Sequence, residues 1–236
     1  MVKFRTWAAP LCLLMTVMLL AGCGKPMSAS VSPQETVPIV QAAVDRYVLS
    51  HVTPPVKKRA GEAGYYEQYP IDFRLLRQTL QLSEVPANAY ENGGPYYYVL
   101  LYEGGGWHVK LIEMSVWQTV TDIQAKATDY YARTGVLPAG EPVASGVYKL
   151  DAAALGLESD RVRSVYSPQQ LPLVISEDGT VGIDYAFEIM RMIQSLGDGF
   201  EPPKDLRDVL TANSYLVPVH SFPYIWENGE PVLRLP

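Results

Sequence analysis

The sequence predicts an α+β domain: an antiparallel sheet built from several β-hairpins, with helices packed against it. Three observations carry that expectation. Tight-turn signals at Gly104-Gly105-Gly106, Asp178-Gly179 and Asn228-Gly229 each separate short runs rich in aromatic and branched residues, which is the pattern of a hairpin. Amphipathic stretches with 3-4 spacing fall between those hairpins. No alternating βαβ series occurs, so a parallel sheet is not expected. The chain has 236 residues, of which 48% are hydrophobic and 19% charged. That balance excludes fibrous and disordered classes and leaves ample chain for a buried core.

In chain order, Lys3 and Arg5 precede an apolar run from Trp7 to Ala21 that ends in Leu20-Ala21-Gly22-Cys23. The run contains Pro10 and Thr16 and is shorter than the roughly 20 apolar residues a spanning helix needs, so a cleaved export signal over residues 1–22 is expected. The motif resembles the lipobox of bacterial lipoproteins. That resemblance implies that the Cys23 thiol carries a diacylglyceryl group, that cleavage falls just before it, and that the new N-terminus is often acylated as well. Two or three acyl chains make a stable anchor, since each buried methylene contributes about 0.8 kcal/mol. The expected location is therefore the extracytoplasmic face of a bacterial cell membrane, with the lipid bilayer as a partner through Cys23. The only other cysteine is Cys12, so the folded part has no disulfide. Residues 24–36 are small, polar and proline-bearing, which suits a flexible tether from Cys23 to a single globular domain over 37–236.

Within that domain, Val40, Ala43, Val44, Tyr47 and Val48 predict a helix from Val37, capped by Thr36, to about Ser50. Residues 56–91 hold the basic triplet Lys57-Lys58-Arg59, the tyrosines Tyr65, Tyr66 and Tyr69, and a short helix at Asp72 to Leu80. Tyr96 to Tyr102 and Trp107 to Met114 flank the triple glycine as a hairpin. A helix follows directly, with Ser115 and Gln118 as a capping box, Val116, Val120, Ile123, Ala127 and Tyr130 as its stripe, and Gly135 then Pro138 as its stop. Val147 to Leu150 and Val162 to Tyr166 read as strands, with one helical turn at Ala152 to Leu155 between them. The order of hairpin then helix returns at Leu173 to Ser176, Asp178-Gly179, Val181 to Ile183, and a helix capped by Asp184 that carries Ala186, Ile189, Met190 and Ile193. The two units, 96–134 and 172–197, suggest a loose internal duplication. Pro203 then opens a helix through Leu206, Val209 and Leu210, Tyr215 to Val219 reads as a strand, and Asn228-Gly229 turns a terminal hairpin.

The formal charge of −6 argues against nucleic acid as a partner, which would need a basic patch. Without Lys3 and Arg5 the mature chain carries 17 basic against 25 acidic residues, a body repelled by anionic lipid. No Gly-x-Ser-x-Gly elbow, Ser-x-x-Lys, His-Glu-x-x-His or P-loop is present, and the triple glycine leads into a strand where a phosphate site would need a helix. His51, His108 and His220 are too far apart in sequence to suggest a metal site, and Gly197 to Glu201 lacks an EF-hand ligand series, so neither a metal nor a cofactor is expected. His108 shares a strand face with Lys110 and should look to solvent. A catalytic acid pair could arise from Glu67, Asp72, Asp184 and Glu188, although their spacing selects none of them and Asp184 is explained as a helix cap.

Tyrosine is the unusual component: sixteen in all, concentrated between Tyr65 and Tyr131. On the strand from Tyr96, one face reads Tyr96, Tyr98, Leu100, Tyr102 and the other Tyr97, Val99, Leu101, Glu103. Both faces are apolar, so the strand is either covered on both sides or leaves Tyr96, Tyr98 and Tyr102 as a candidate surface for sugar rings or a partner peptide. The basic triplet is either a solvated loop or a contact for anionic wall polymer.

The segments TDIQAKATDYYARTGVLP and QQLPLVISEDGTVGIDYAFEI resemble the uncharacterised, domain-of-unknown-function lipoproteins of Firmicutes, a resemblance that implies no activity. The first is also similar to pseudopilins, whose apolar helix stays fused to the domain and follows a different cleavage site. A two-lobed solute-binding protein is disfavoured by the 214 residues from Cys23 onward and by the missing parallel-sheet pattern. Two functional expectations follow. One is a non-enzymatic, membrane-tethered envelope protein that binds wall glycan or an envelope protein. The other is an envelope hydrolase with an acid pair that the sequence does not identify. A flat aromatic patch favours the first, and a cleft with inward acids of perturbed ionisation favours the second.

Overall fold

A computed structural model describes residues 31–58, 64–197 and 199–235. The expected signal peptide, the Cys23 lipid site and most of the expected tether lie outside the described residues. Ser32–Pro236 form one compact unit, and its architecture is α+β with antiparallel sheets, as the turn signals predicted.

Helix α1 spans Pro33–Ser50 and begins before the expected Val37. Ser32 takes the cap in place of Thr36, accepting from the Gln34 amide. Pro33 stands at the first helical position, where a missing N–H leaves no bond unmade. Thr36 is thereby drawn into the first turn and faces inward beside Val37, Val40, Ala43, Val44 and Tyr47. Helix α2, Phe73–Gln78, is capped by Asp72, whose Oδ1 accepts from the Leu75 amide at 3.1 Å.

Strands β1 (Tyr96–Glu103) and β2 (Gly106–Glu113) pair antiparallel from Tyr96 opposite Glu113 to Glu103 opposite Gly106. The two-residue turn has φ of +57° at Gly104 and +83° at Gly105, the left-handed pair that a type I′ turn requires. This hairpin is the wall between two cores. Tyr98, Leu100, Val109 and Leu111 pack with α1 and α2, while Val99, Leu101 and Ile112 join a larger core beyond. Alternate side chains of a strand point to opposite faces, so a strand apolar on both faces must be covered twice.

Helix α3, Met114–Thr134, starts with no loop after β2 and ends at Gly135, which is left-handed at φ +71°. The cap differs from the Ser115 expectation. Glu113 is the extended residue at the strand end, its carboxylate accepts from the Val116 amide at 2.9 Å, and Ser115 lies inside the helix donating to the same carboxylate. Val116, Val120, Ile123 and Ala127 are buried. Gln124 holds the neighbouring hairpin, donating to the Gly179 carbonyl and accepting from the Val181 amide.

The second sheet comprises β3 (Ala139–Ala144), β4 (Val147–Leu150), β5 (Arg161–Arg163), β6 (Gln170–Ser176) and β7 (Val181–Ile183). Strand β6 is its centre, pairing with β4, β5 and β7, all antiparallel. Strand β3 was not expected. Pro142 breaks its pattern, and the strand survives because it pairs only with β4 and absorbs register shifts on either side of the proline. Helix α4, Ala186–Leu196, follows Asp184, whose Oδ1 accepts from the Ala186 amide. Helix α5 is Arg207–Ala212, and β8 (Tyr224–Glu227) and β9 (Glu230–Leu233) form the terminal hairpin. The expected strand at Tyr215 to Val219 is reduced to a single parallel bridge between Leu111 and Leu216.

Among the described residues three charged side chains turn inward, Lys110, Glu188 and Arg207. Lys110 is 8% exposed although it shares a strand face with His108, which is exposed as expected, because the Lys110 Nζ donates to the Thr211 and Ser214 carbonyls at the end of α5. A cation there also meets the negative end of the helix. Burial pulls its pKa below the ordinary lysine value, against the opposing charge of Glu103. Glu188 of α4 is fully buried and accepts from Ser164 Oγ at 2.6 Å, from Ser167 Oγ, and from Arg191 Nε at 2.9 Å.

Candidate functional site

The structure separates the three candidate tyrosines of β1. Tyr98 is 1% exposed, with its hydroxyl 2.8 Å from both Thr36 Oγ1 and Asn88 Oδ1 and its ring edge-on to Phe73. Burial first, opposed by those hydrogen bonds, raises its phenol pKa. Tyr96 is half-buried against the same core. Tyr102 is exposed and tilts against Trp107 at 5.0 Å, and Tyr69 meets that indole edge-on at 5.1 Å. The three therefore share a strand face without forming one surface, because α1 lies over its middle.

The opposite face of β1 opens on an aromatic cleft. Tyr97 stands with Tyr90 and Trp117 around a cavity of about 370 Å³ that Lys57, Lys58 and Glu67 also line. Tyr90 is delivered by a 3₁₀ turn over Tyr90–Asn92, closed by left-handed Gly93, whose amide donates to the Tyr90 carbonyl, and the chain then returns to Asn88, whose carbonyl accepts from the Tyr96 amide. A Cβ on Gly94 would stand 2.2 Å from the Asn88 carbonyl carbon, so only glycine fits that return. Tyr90 is 55% exposed and edge-on to Tyr97 at 6.3 Å, while Tyr97 and Trp117 are half-buried. The Trp117 indole donates from Nε1 to Glu67 Oε1 at 2.8 Å, which fixes both side chains at the cleft wall. The Lys57 ammonium lies 5.1 Å over the Tyr97 ring and pairs with Glu91 at 2.5 Å. Burial lowers the Lys57 pKa, but the hydrogen bond and charge of Glu91, with help from Tyr97, outweigh it and hold the group above its ordinary value.

Lys57 also lines a larger groove of about 710 Å³, together with Arg74, Arg77, Leu80 and Glu91. Leu80 follows α2 at φ +57° and is 91% exposed. A leucine in the left-handed region is strained, and this one leaves its side chain almost wholly in water.

A third hollow of about 260 Å³ lies between Tyr65, Tyr66 and His220. His220 has φ of +52° and its Nε2 is 3.2 Å from the Trp117 carbonyl. Burial lowers its pKa, with Glu67 and that carbonyl opposing. The Tyr66 hydroxyl is buried and, among the described residues, has no hydrogen-bond partner. Arg207 lies over the Tyr65 ring at 5.0 Å and donates from Nε to Asp205 at 2.9 Å.

The four acids considered as a catalytic pair are each tied to a different part of the fold. Glu67 holds Trp117, Asp72 caps α2, Asp184 accepts from Ala186 and from the Tyr224 hydroxyl, and Glu188 serves the serine loop. Among the described residues Asp208 is the carboxyl held above its ordinary pKa, by burial and then by Asp205 and Glu103. Of those neighbours, Asp205 is engaged by Arg207 and Glu103 by Thr211. Among the described residues no group of three or more His, Cys, Asp or Glu side chains is placed to hold a metal ion, and no helix is long and apolar enough to cross a membrane.

Residues 33–113 match the family model described as the YphF family N-terminal domain. The match fits an uncharacterised domain family, and it does not extend to residues 121–138 and 169–189, the segments that carry the resemblance. It runs from the first residue of α1 to the last of β2, so it contains every buried residue of the core between α1, α2 and the hairpin. Seven of the nine residues that line the aromatic cleft fall inside it, and Met114 and Trp117 lie just beyond. Neither a curated protein nor a solved structure is significantly similar to the chain.

Proposed function

We propose that the protein is a non-enzymatic binding protein of the bacterial cell envelope, held at the membrane by acyl chains on Cys23, and that it takes wall glycan in the cleft of Tyr90, Tyr97 and Trp117. The cleft is the observation that carries this reading. Three aromatic rings converge on one concavity beside two lysines and a carboxylate, and sugar rings present just that need: C–H faces that lie on aromatic rings and hydroxyls that seek polar side chains at the edge. Trp117 is pre-set by its bond to Glu67, so little ordering remains for the ligand to impose. The anchor rests on the lipobox at Leu20 to Cys23.

An envelope hydrolase has less support, since Glu67, Asp72, Asp184 and Glu188 serve separate elements and the cleft holds a single carboxylate. Retention on insoluble peptidoglycan tests the binding reading. Tyr97→Ala and Trp117→Ala should each cut retention by about tenfold, the loss of one stacked contact worth near 1.4 kcal/mol, while Tyr102→Ala retains wild-type binding. Equal retention by wild type and both cleft variants would refute it.

A further inference from the structure

We infer that the aromatic cleft and the adjoining groove form one two-part site for an anionic saccharide, the ring lying in the cleft and its acid group reaching Arg74 and Arg77 in the groove; this rests on the glycan-binding reading above. The two concavities share Lys57 as a lining residue. The 3₁₀ turn Tyr90–Asn92 stands between them, giving Tyr90 to the cleft and Glu91 and Asn92 to the groove. The Lys57–Glu91 ion pair is thus the partition.

Charge in the groove is unevenly used. Glu91 is occupied by Lys57. Asp72 caps α2 through Oδ1 and meets Arg74 only at 3.4 Å through Oδ2, with the Arg74 side chain 80% exposed. Arg77 makes no ion pair among the described residues, although it lines the same groove. Arg74 and Arg77 are three residues apart on α2, so their guanidinium groups project from one helix face. Phe73, Leu82 and Val85 supply apolar wall beside them, and a poorly hydrated wall strengthens a charge-assisted hydrogen bond to an incoming anion. In a chain of net charge −6, a pair of under-neutralised arginines facing a concavity is a local exception, and it complements a carboxylate or phosphate carried by the ligand. The exposed, strained Leu80 also lines the groove, where a bound ligand would cover it.

Fluorescence titration of the full chain with three probes tests this: neutral chitotetraose, a soluble peptidoglycan glycan fragment with free lactyl carboxylates, and a glycerol-phosphate polymer without sugar rings. The carboxylated glycan should bind about tenfold tighter than chitotetraose, and that preference should shrink as salt rises. In Arg74→Gln/Arg77→Gln the ratio of the two affinities should fall towards one, while Arg133→Gln, an exposed arginine on α3, keeps the wild-type ratio. Circular dichroism melting confirms that each variant is folded. Equal affinity for the neutral and carboxylated glycans, or a preference that survives the double substitution, overturns the two-part site and leaves glycan binding standing. Binding of the glycerol-phosphate polymer that ignores Tyr97→Ala also overturns it, since the groove would then act alone. Failure of all glycans to bind refutes the underlying function.

Discussion

The buried carboxylate of Glu188 offers the sharpest test of the packing described above. It is fully buried, yet its acceptors are satisfied from three directions by Ser164, Ser167 and Arg191. Replacing it by alanine removes the charge and leaves the hydroxyl of Ser164, itself 3% exposed, without its acceptor. Hydrogen bonds to a charged group contribute about 1.5 to 3 kcal/mol each, so the two serines account for roughly 3 to 6 kcal/mol. Arg191 adds little, because its side chain is 46% exposed and can return to water. Relief of burying the carboxylate offsets part of this, and Glu188→Ala should cost about 3 to 5 kcal/mol. Urea unfolding followed by tryptophan fluorescence reads it as a lower midpoint at unchanged slope. Ser164→Ala alone should cost about 1 to 2 kcal/mol, and almost nothing further when Glu188 is already alanine. A Glu188→Ala penalty under about 1 kcal/mol, or full additivity of the two substitutions, would show that the pair does not hold the serine loop to α4.

Further outcomes follow from single side chains. Glu113→Ala should lower the melting stability by about 0.5 to 2 kcal/mol as a lost cap, with Ser115→Ala costing less; the reverse order in thermal melts would restore Ser115 as the cap. Tyr66→Phe removes a buried hydroxyl that bonds to nothing described, so it should raise stability by about 1 kcal/mol, and a measured loss contradicts the orphan assignment. His220 is held below its ordinary pKa chiefly by burial, so the unfolded chain binds the extra proton first. Its contribution is fully present above about pH 6.5 and is lost as pH falls below that towards the folded pKa. His220→Asn, which tolerates the left-handed backbone, should flatten the stability profile between about pH 7 and 5; a wild-type to variant difference that is constant with pH speaks against this. Cys23→Ala should abolish labelling by a palmitate analogue and release the protein from membranes, and labelling that persists in the variant would remove Cys23 as the lipid site.

What the sequence made legible was local. Gly104-Gly105 and Asn228-Gly229 announce their turns because their residue types match the left-handed backbone found there. Two helix caps were displaced, by four residues and by two, where two polar candidates compete, as with Ser32 ahead of Thr36 and Glu113 ahead of Ser115. Lys110 and Glu188 were out of reach, since Thr211 and Ser164 become their neighbours only through the tertiary fold. The candidate site shows the same limit. A strand apolar on both faces signals double cover, but period-two alternation does not say which face stops short of it. Tyr97 was visible as an aromatic residue of that strand, whereas its grouping with Tyr90, Trp117 and Lys57 depends on a 3₁₀ turn and a helix that no local pattern brings together. Strand β3 was masked by Pro142, which reads as a breaker unless the strand is known to lie at an edge.

The hairpin that divides the two cores also sets where the chain can be cut. An excision just after Glu113 would leave Val99, Leu101 and Ile112 facing water, three large side chains now at 8% exposure or less. Uncovering such a stripe costs about 25 cal/mol per Å² and creates a sticky sheet face. The piece from α1 to β2 is therefore a half-finished body that needs a lid, and α3 with the five-stranded sheet is the lid this chain supplies. Melting should pass through both cores in one step, because neither can open without baring its side of the shared hairpin.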